Sequence, residues 1–368
     1  MKILFLGDGS AYHANLAVAL RRQGHDVTVA SDGTRWMQTD RDIDLQRAFG
    51  KTGGAMLWMK MSSMMESQFT GFDIVHLSSP SFTSLKPVRL AVLLKKIKAG
   101  NGRLFYSALG TDSDYVRNCL YGTPPVLRYS EWHDATGHTP WSHTAQAEAE
   151  AWLSAGLTDY TDEFFCTVEG AVSALYEYHK VIEAMHPGLP LAYGGIPVDL
   201  SDMPRHKLSD GPVRILYAAH KGREGEKGAD ILLGMLRRVE SELKGTVVVD
   251  TPENVPYHQF RQRLAGYDVV SDQLYSFTPA TTALMAMAMG VVPISGGTQE
   301  FYDFIGEREL RPIFNPDPLD LEGTYQSLKT LLSDRDALRS MSEQGPEFIR
   351  RHNDAGLVAR RFVDFWNN

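Results

Sequence analysis

Apolar positions along the chain alternate between two periods. Residues 2–6 are a short leucine-rich run, residues 14–22 carry an apolar stripe at helical spacing, Gly24 stops it, and residues 26–30 resume as a strand. That is a βαβ unit. Residues 73–77, a helix over 86–98 and a strand over 103–107 repeat the alternation, which predicts a parallel sheet with helices on its faces. Residues 115–143 mix Tyr, Trp, His, Gly and Pro without a steady period and read as long loops or an insertion. The pattern resumes with a helix over 144–155, a strand over 163–168 and a helix over 171–184.

Pro, Asp and Ser gather in "IPVDLSDMPRHKLSDGP", a linker composition, and a second alternating series follows. It predicts strands over 214–218, 246–249, 268–271 and 291–295, with helices over 229–243, 257–264 and 279–289. Residues 319–368 read as helical throughout. They end in the amphipathic "LVARRFVDFWNN", whose Phe362, Phe365 and Trp366 need a surface to cover. The expectation is an α/β protein of two Rossmann-like domains facing across a cleft. Residues 1–198 form the first, 199–212 link, 213–350 form the second, and a helix over 351–368 crosses back onto the first. Open parallel sheets bind ligands at the carboxyl ends of their strands, so function is expected in residues 7–10, 77–83, 109–114, 221–228, 275–279 and 296–300.

A length of 368 residues fits two domains of ~150 to 200 residues each. With 43% hydrophobic and 22% charged residues the composition is that of a globular protein. The formal net charge of −8 argues against nucleic acid as a partner, because neutralising phosphates needs a basic surface. Cys119 and Cys166 form no CxxC pair, which implies neither a disulfide framework nor a zinc site. The opening "MKILFLGD" runs straight into a polar turn, unlike a signal peptide, and no apolar run reaches about 18 residues. A cytoplasmic protein is expected. The Met-rich "MLWMKMSSMMESQF" reads first as a packed helix, and peripheral contact with the inner face of a membrane stays open.

Three loops carry candidate chemistry. In "LGDGSAYHAN", Gly7 and Gly9 follow the first strand, where backbone amides of Gly9 and Ser10 can approach a phosphate. A ligand-free tight turn is the alternative. Tyr12 stands in the place of a third dinucleotide-binding glycine, although Asp32 closes the second strand and keeps a nicotinamide enzyme in view. "AAHKGREGEKGAD" packs Lys221, Arg223 and Lys227 among glycines, Gly228 included, just before a helix. Bidentate Arg contacts, a Lys point charge and free amides suit a diphosphate, whereas pairing with Glu224 and Glu226 would make it a solvated turn. It lacks P-loop spacing. In "YSFTPATTALMAMAMGVVPISGGTQE", Thr278 suits an N-cap and Pro279 the first helical position, so a helix is predicted to start at Thr278 with its positive end toward an anion. Gly296 and Gly297 form a second turn, and Glu300 is its nearest acid. His133, His138 and His143 lack metal-ligand spacing, so no metal is expected.

The order of these pieces resembles the C-terminal domain of retaining glycosyltransferases of family 4, which have the two-Rossmann GT-B fold. The family's basic "R…KG" loop stands here as Arg223 with Lys227-Gly228, its "EAMAxGxPVI" helix and strand as "MAMAMGVVPI", and its "GG" turn as Gly296-Gly297. "DIVHLSS" and "ALGTD" look like the family's N-terminal strand ends. Two family glutamates would fall on Phe277 and Met285, and both are absent. Related capsule and surface-polysaccharide transferases show a "YS[FY]TPA" variant at this place. The resemblance implies a nucleotide-diphosphate sugar as donor substrate, no separate cofactor or metal, and a saccharide or lipid-linked acceptor, which His13 and the flat faces of Tyr129, Trp132 and Trp141 would meet. It further implies donor contacts from Lys221, Arg223, Lys227, Gly228, Phe277, Thr278, Pro279, Gly297 and Glu300. The departing diphosphate would be met by Arg223, Lys227 and the helix end at Thr278. Asp112, in the loop matching an "HD" position with Thr111 replacing the histidine, would orient hydroxyls or cap a helix. A non-catalytic relative and a nucleotide-sugar epimerase remain the alternatives, while a glycosidase lacks a facing carboxylate pair.

Overall fold

A computed structural model describes residues 1–34, 37–122, 126–132, 143–201, 203–208, 210–218, 225–252 and 257–368, apart from the side chains of 143, 144, 226, 257 and 258. Its strands are β1 (Lys2–Leu6), β2 (Asp26–Ser31), β3 (Ile43–Asp44), β4 (Ile74–Leu77), β5 (Arg103–Ala108), β6 (Ala171–Ser173), β7 (Leu191–Tyr193), β8 (Val213–Tyr217), β9 (Val247–Asp250), β10 (Val269–Ser271) and β11 (Val292–Ile294). Its helices are α1 (Tyr12–Arg22), α2 (Gly50–Gln68), α3 (Pro87–Gly100), α4 (Ser113–Tyr121), α5 (His143–Trp152), α6 (Ala155–Thr167), α7 (Tyr176–Met185), α8 (Ala229–Glu242), α9 (Tyr257–Leu264), α10 (Thr281–Met289), α11 (Gln299–Ile305), α12 (Leu321–Ser333), α13 (Arg335–His352) and α14 (Ala355–Asn367). Two compact units divide the chain: Met1–Val126 with Ala147–Pro197 and Ala355–Asn368, and Leu127–Gln146 with Val198–Asp354.

The first unit is a seven-stranded parallel sheet in the order β3-β2-β1-β4-β5-β6-β7. β1 is an inner strand, and Ile3 to Leu6 are fully buried because helices cover both faces. One face packs on α2, α3 and α6 through Leu57, Met61, Leu90, Leu94 and Phe164. The other packs on α1 and α14, with Leu16, Leu20, Phe362 and Trp366 in one cluster. The aromatic tail helix therefore finds its surface on the first unit. Burying Phe362 and Trp366 is worth roughly 2 kcal/mol or more each. Backbone carbonyls near that helix are also tied down: Arg103 donates to Trp366 O at 2.6 Å and Arg361 to Gly194 O at 2.8 Å.

The second unit holds a four-stranded parallel sheet in the order β11-β10-β8-β9. α10 is buried from Ala283 to Met289, as its apolar sequence requires, and Met285 lies in its core. No helix among the described residues is long and apolar enough to cross a membrane.

Four sequence expectations are corrected. Residues 163–168 belong mostly to α6, because Tyr160, Thr161, Phe164 and Phe165 form one buried helical face. The helix expected over 171–184 is a short strand, β6, followed by α7. The stretch taken as loops contains the end of α4, and residues 133–142, with His133 and His138, lie outside the described ones. The helix expected from Thr278 starts at Thr281, with Ala280 as its extended N-cap. Thr278 is drawn instead into a turn in which Ser276 Oγ donates to its carbonyl and Thr298 N donates to Phe277 O.

Candidate functional site

Three loops of the first unit converge at the carboxyl ends of β1, β4 and β5 around a pocket of about 240 Å³. All three are among the loops expected to carry function. Gly7, Asp8 and Gly9 line it from the first loop, hydroxyls from residues 78–84 line it from the second, and Thr111 from the third, with Asp32 after β2. Gly7 sits at φ 82°, and a Cβ there would lie 2.1 Å from Ser78 Oγ and 2.8 Å from Phe82 O. Only glycine fits. Ser10 and Ala11 follow at φ 52° and 63°, a left-handed conformation that costs non-glycine residues roughly 1 kcal/mol or more each.

The charge of this loop overturns its reading as a phosphate cradle. Asp8 Oδ1 accepts from His13 N at 2.9 Å and Oδ2 from Thr39 Oγ1 at 3.3 Å, so the amino end of α1 already holds a carboxylate. A phosphate beside Gly9 and Ser10 would meet Asp8 and Asp32, and no lysine or arginine lines the pocket among the described residues. Burial raises the Asp8 carboxyl to about 6. Two carboxylates amid serine and threonine hydroxyls suit a neutral polyol.

His13 is also corrected: it is fully buried and cannot touch an acceptor. Its ring stacks on Phe5 at 4.4 Å, and both nitrogens are committed. Trp366 Nε1 donates to His76 Nε2 at 2.7 Å, which leaves His76 Nδ1 to donate to Ser107 Oγ at 2.9 Å. Ser107 then donates to His13 Nε2 at 3.0 Å, and His13 Nδ1 donates to Gly7 O at 2.7 Å. Burial holds both imidazoles neutral, with His13 lowered to about 4. The chain ends on the pocket's own glycine.

Asp112 caps α4. Its Oδ1 accepts from Tyr115 N at 2.8 Å and its Oδ2 from Tyr106 OH at 2.9 Å, and it is buried, which raises its carboxyl to about 6. The capping alternative is the one its geometry serves, while Thr111 beside it faces the pocket.

In the second unit, Lys227 ends a short 3₁₀ turn, Gly225–Lys227, and Gly228 caps α8 at φ 62°. A Cβ on Gly228 would lie 2.8 Å from Leu274 and Tyr275, so the close packing of β10's following loop requires glycine there. Lys227 Nζ lies 2.8 Å from Oδ1 of Asp272, whose side chain is fully buried at the end of β10. The pair fixes the ammonium while the lysine side chain stays 42% exposed, leaving donors for an anion. Lys221 and Arg223 lie outside the described residues.

The Gly296-Gly297 turn packs against the segment before α10. A Cβ on Gly296 would lie 2.6 Å from Ser276 O, and Gly297 N donates to Asn315 Oδ1 at 2.9 Å. Phe277, expected as a donor contact, is instead buried, its ring stacked at 4.4 Å on Tyr129. Thr278 and Pro279 are buried with it. Glu300 Oε1 accepts from Arg128 Nε at 3.0 Å, and the Arg128 guanidinium lies 5.0 Å over the Tyr129 ring. Trp132 is buried, with its indole N–H meeting no hydrogen-bond acceptor among the described residues, and Trp141 lies outside them. Sequence reasoning missed Asp8, Asp272 and Arg128; a lone Asp beside glycines, or one closing a strand, was the only trace of the first two.

No protein-family profile matches the chain and no curated protein matches it by sequence. Solved structures do. Sucrose-phosphate synthase from Thermosynechococcus elongatus superposes with a TM-score of 0.67 at 12% identity, over 100% of this chain and 98% of that one. Anabaena HepE, solved with UDP and glucose, gives 0.57 at 14% identity, over 100% and 99%. The fold is GT-B. A Listeria monocytogenes protein described as a UDP-N-acetylglucosamine 2-epimerase shares it, with a TM-score of 0.56 at 14% identity over 98% and 94%. In this GT-B chain the pocket of the first unit and the Lys227 turn of the second both gather polar groups at strand ends.

Proposed function

We propose that the protein is a glycosyltransferase that moves a sugar from a nucleotide-diphosphate sugar to a hydroxyl of a saccharide or lipid-linked acceptor, in glycan or surface-polysaccharide synthesis. The observation that carries this reading is the full-length likeness to HepE, a protein solved with UDP and glucose. Local chemistry supports it. The second unit would hold the donor, with Lys227 and the amino end of α8 facing the diphosphate and Arg223 and Lys221 in the loop just before. The first unit would hold the acceptor, with Asp8 and Asp32 accepting hydrogen bonds from its hydroxyls.

Transfer with retention then follows a simple balance. The bond from the anomeric carbon to the diphosphate oxygen breaks, a bond to the acceptor oxygen forms on the same face, and the acceptor's proton leaves on the departing phosphate. The protein's part is electrostatic: Lys227, held by Asp272, meets the negative charge that develops on the leaving group. The nucleotide sugar is a substrate, and no separate cofactor or metal enters the scheme.

The test is thermal shift with UDP, GDP and their sugars, followed by assay of nucleotide release. Stabilisation by one nucleotide and acceptor-dependent release are expected; no stabilisation by any would overturn the reading. The Listeria structure favours a second reading, an epimerase acting on a UDP-amino sugar. Conversion of UDP-N-acetylglucosamine without an added acceptor, followed by proton NMR, would establish that one instead. Nucleotide binding without turnover would mark a non-catalytic relative.

A further inference from the structure

Large apolar side chains stand in solvent on two neighbouring helices of the first unit. Phe49, just before α2, is fully exposed, Met56 and Met59 on α2 are 61% and 60% exposed, and Val88 and Val92 on α3 are 79% and 41% exposed. Met56 and Met59 lie one turn apart, as do Val88 and Val92, so each helix turns an apolar stripe outward. The two helices are tied together, since Arg89 of α3 donates to Gly54 O of α2 at 2.8 Å and lies 5.6 Å over the Trp58 ring. Both bury their opposite faces in the same cluster, so the outward stripes meet no partner among the described residues.

Charge says what would cover them. Residues 49–100 carry seven lysines or arginines against two acids, in a chain whose formal net charge is −8. Lys51, Lys86 and Lys96 have no carboxylate partner among the described residues, whereas Lys95 pairs with Glu163 of α6 at 2.8 Å. The acidic α6, with Asp159, Asp162 and Glu163, bounds the patch on one side. Exposed Met and Phe beside unpaired lysines is the pattern that rests at an anionic lipid surface, apolar side chains entering the headgroup boundary and lysines meeting phosphates. The surplus of acid elsewhere would repel the same surface and orient the molecule.

We propose that the outer face of α2 and α3, centred on Phe49, Met56 and Met59, docks the protein on an anionic membrane. This proposal is independent of the glycosyltransferase reading. It is tested by co-sedimentation with vesicles of phosphatidylcholine alone and of phosphatidylcholine mixed with phosphatidylserine. Binding is expected only to the mixed vesicles, falling as salt rises. Two surface variants sharpen the result: Met56→Glu with Met59→Glu, and Lys51→Glu with Lys86→Glu and Lys96→Glu. Each should keep the parental unfolding midpoint, and the lysine variant should lose about a hundredfold in vesicle affinity. Equal binding to both vesicle types, no binding to either, or variants that bind like the parent would overturn it. So would self-association in sedimentation velocity that both variants abolish, since the patch would then serve a second copy of the chain.

Discussion

The loop after β1 and the loop before α8 each reach their helix through a residue in the left-handed region, Ala11 at φ 63° in one and Gly228 at φ 62° in the other. Both lie at the carboxyl ends of parallel strands. Their charges are opposite. In the first, Asp8 occupies the amino end of the helix and is bonded by its amides; in the second, Lys227 stands there with its ammonium anchored on Asp272. A helix end by itself favours any anion, and what these two loops show is that one side chain decides whether that preference is spent internally or left for a ligand. The glycine pattern, which looked like a phosphate signal in both, is common to the two outcomes.

The largest expected effect concerns the backbone of the first loop. Gly7→Ala should destabilise the protein by about 3 kcal/mol, from left-handed strain plus contact with Ser78 and Phe82, read as a fall in the urea midpoint. Gly9→Ala, where the nearest atom is 3.4 Å away, should cost less than about 1 kcal/mol. Equal costs would dissolve the distinction between a required and a permitted glycine. Next comes Lys227→Ala, which should weaken nucleotide binding ten- to a hundredfold, about 1.5–3 kcal/mol for a charged hydrogen bond, and leave the acceptor's KM unmoved. Unchanged nucleotide affinity would make the second loop as closed to anions as the first.

A smaller effect separates the loops by pH. Asp8 accepts hydrogen bonds as a carboxylate above about 6 and becomes protonated below it, so the acceptor's KM should climb as pH falls through that range. Asp8→Asn should raise the KM about tenfold and flatten the profile, with nucleotide binding untouched. A profile that keeps its step in the variant would assign the titration elsewhere. The smallest effect is expected for Arg128→Ala, because the Arg128–Glu300 pair is about 41% exposed on both sides and worth at most about 1 kcal/mol. A much larger loss of nucleotide binding would show that Glu300 belongs to the donor site.

How much the sequence disclosed depended on the range over which each feature is determined. β1, α1 and β2 were legible to within two residues, since leucine runs, a helical stripe and Gly24 act locally. The segment "EFFCTV" was not: a short run rich in large side chains fits a buried strand or one face of a helix, and Tyr160 and Thr161 decide for α6 only through packing against the first sheet. The Thr278 start failed for a similar reason, because contacts with Thr298, some twenty residues on, outweigh the local capping preference. The three convergent loops were among the six that topology marked as places for function. Their charge logic was not, as Asp8 acquires meaning only from Thr39 and the amides it faces, and His13 looks like a pocket ligand until Ser107 and His76 enclose it.

The hydrogen-bonded series from Trp366 through His76, Ser107 and His13 to Gly7 has a consequence for biosynthesis. Its first member is made after the whole of the second unit, so the first unit cannot complete its own interior while the ribosome is still producing Val198–Asp354. The sheet face that α14 shares with α1 lacks its α14 cover throughout that interval. In this chain, order of synthesis and order of completion are reversed: the domain begun first is finished last.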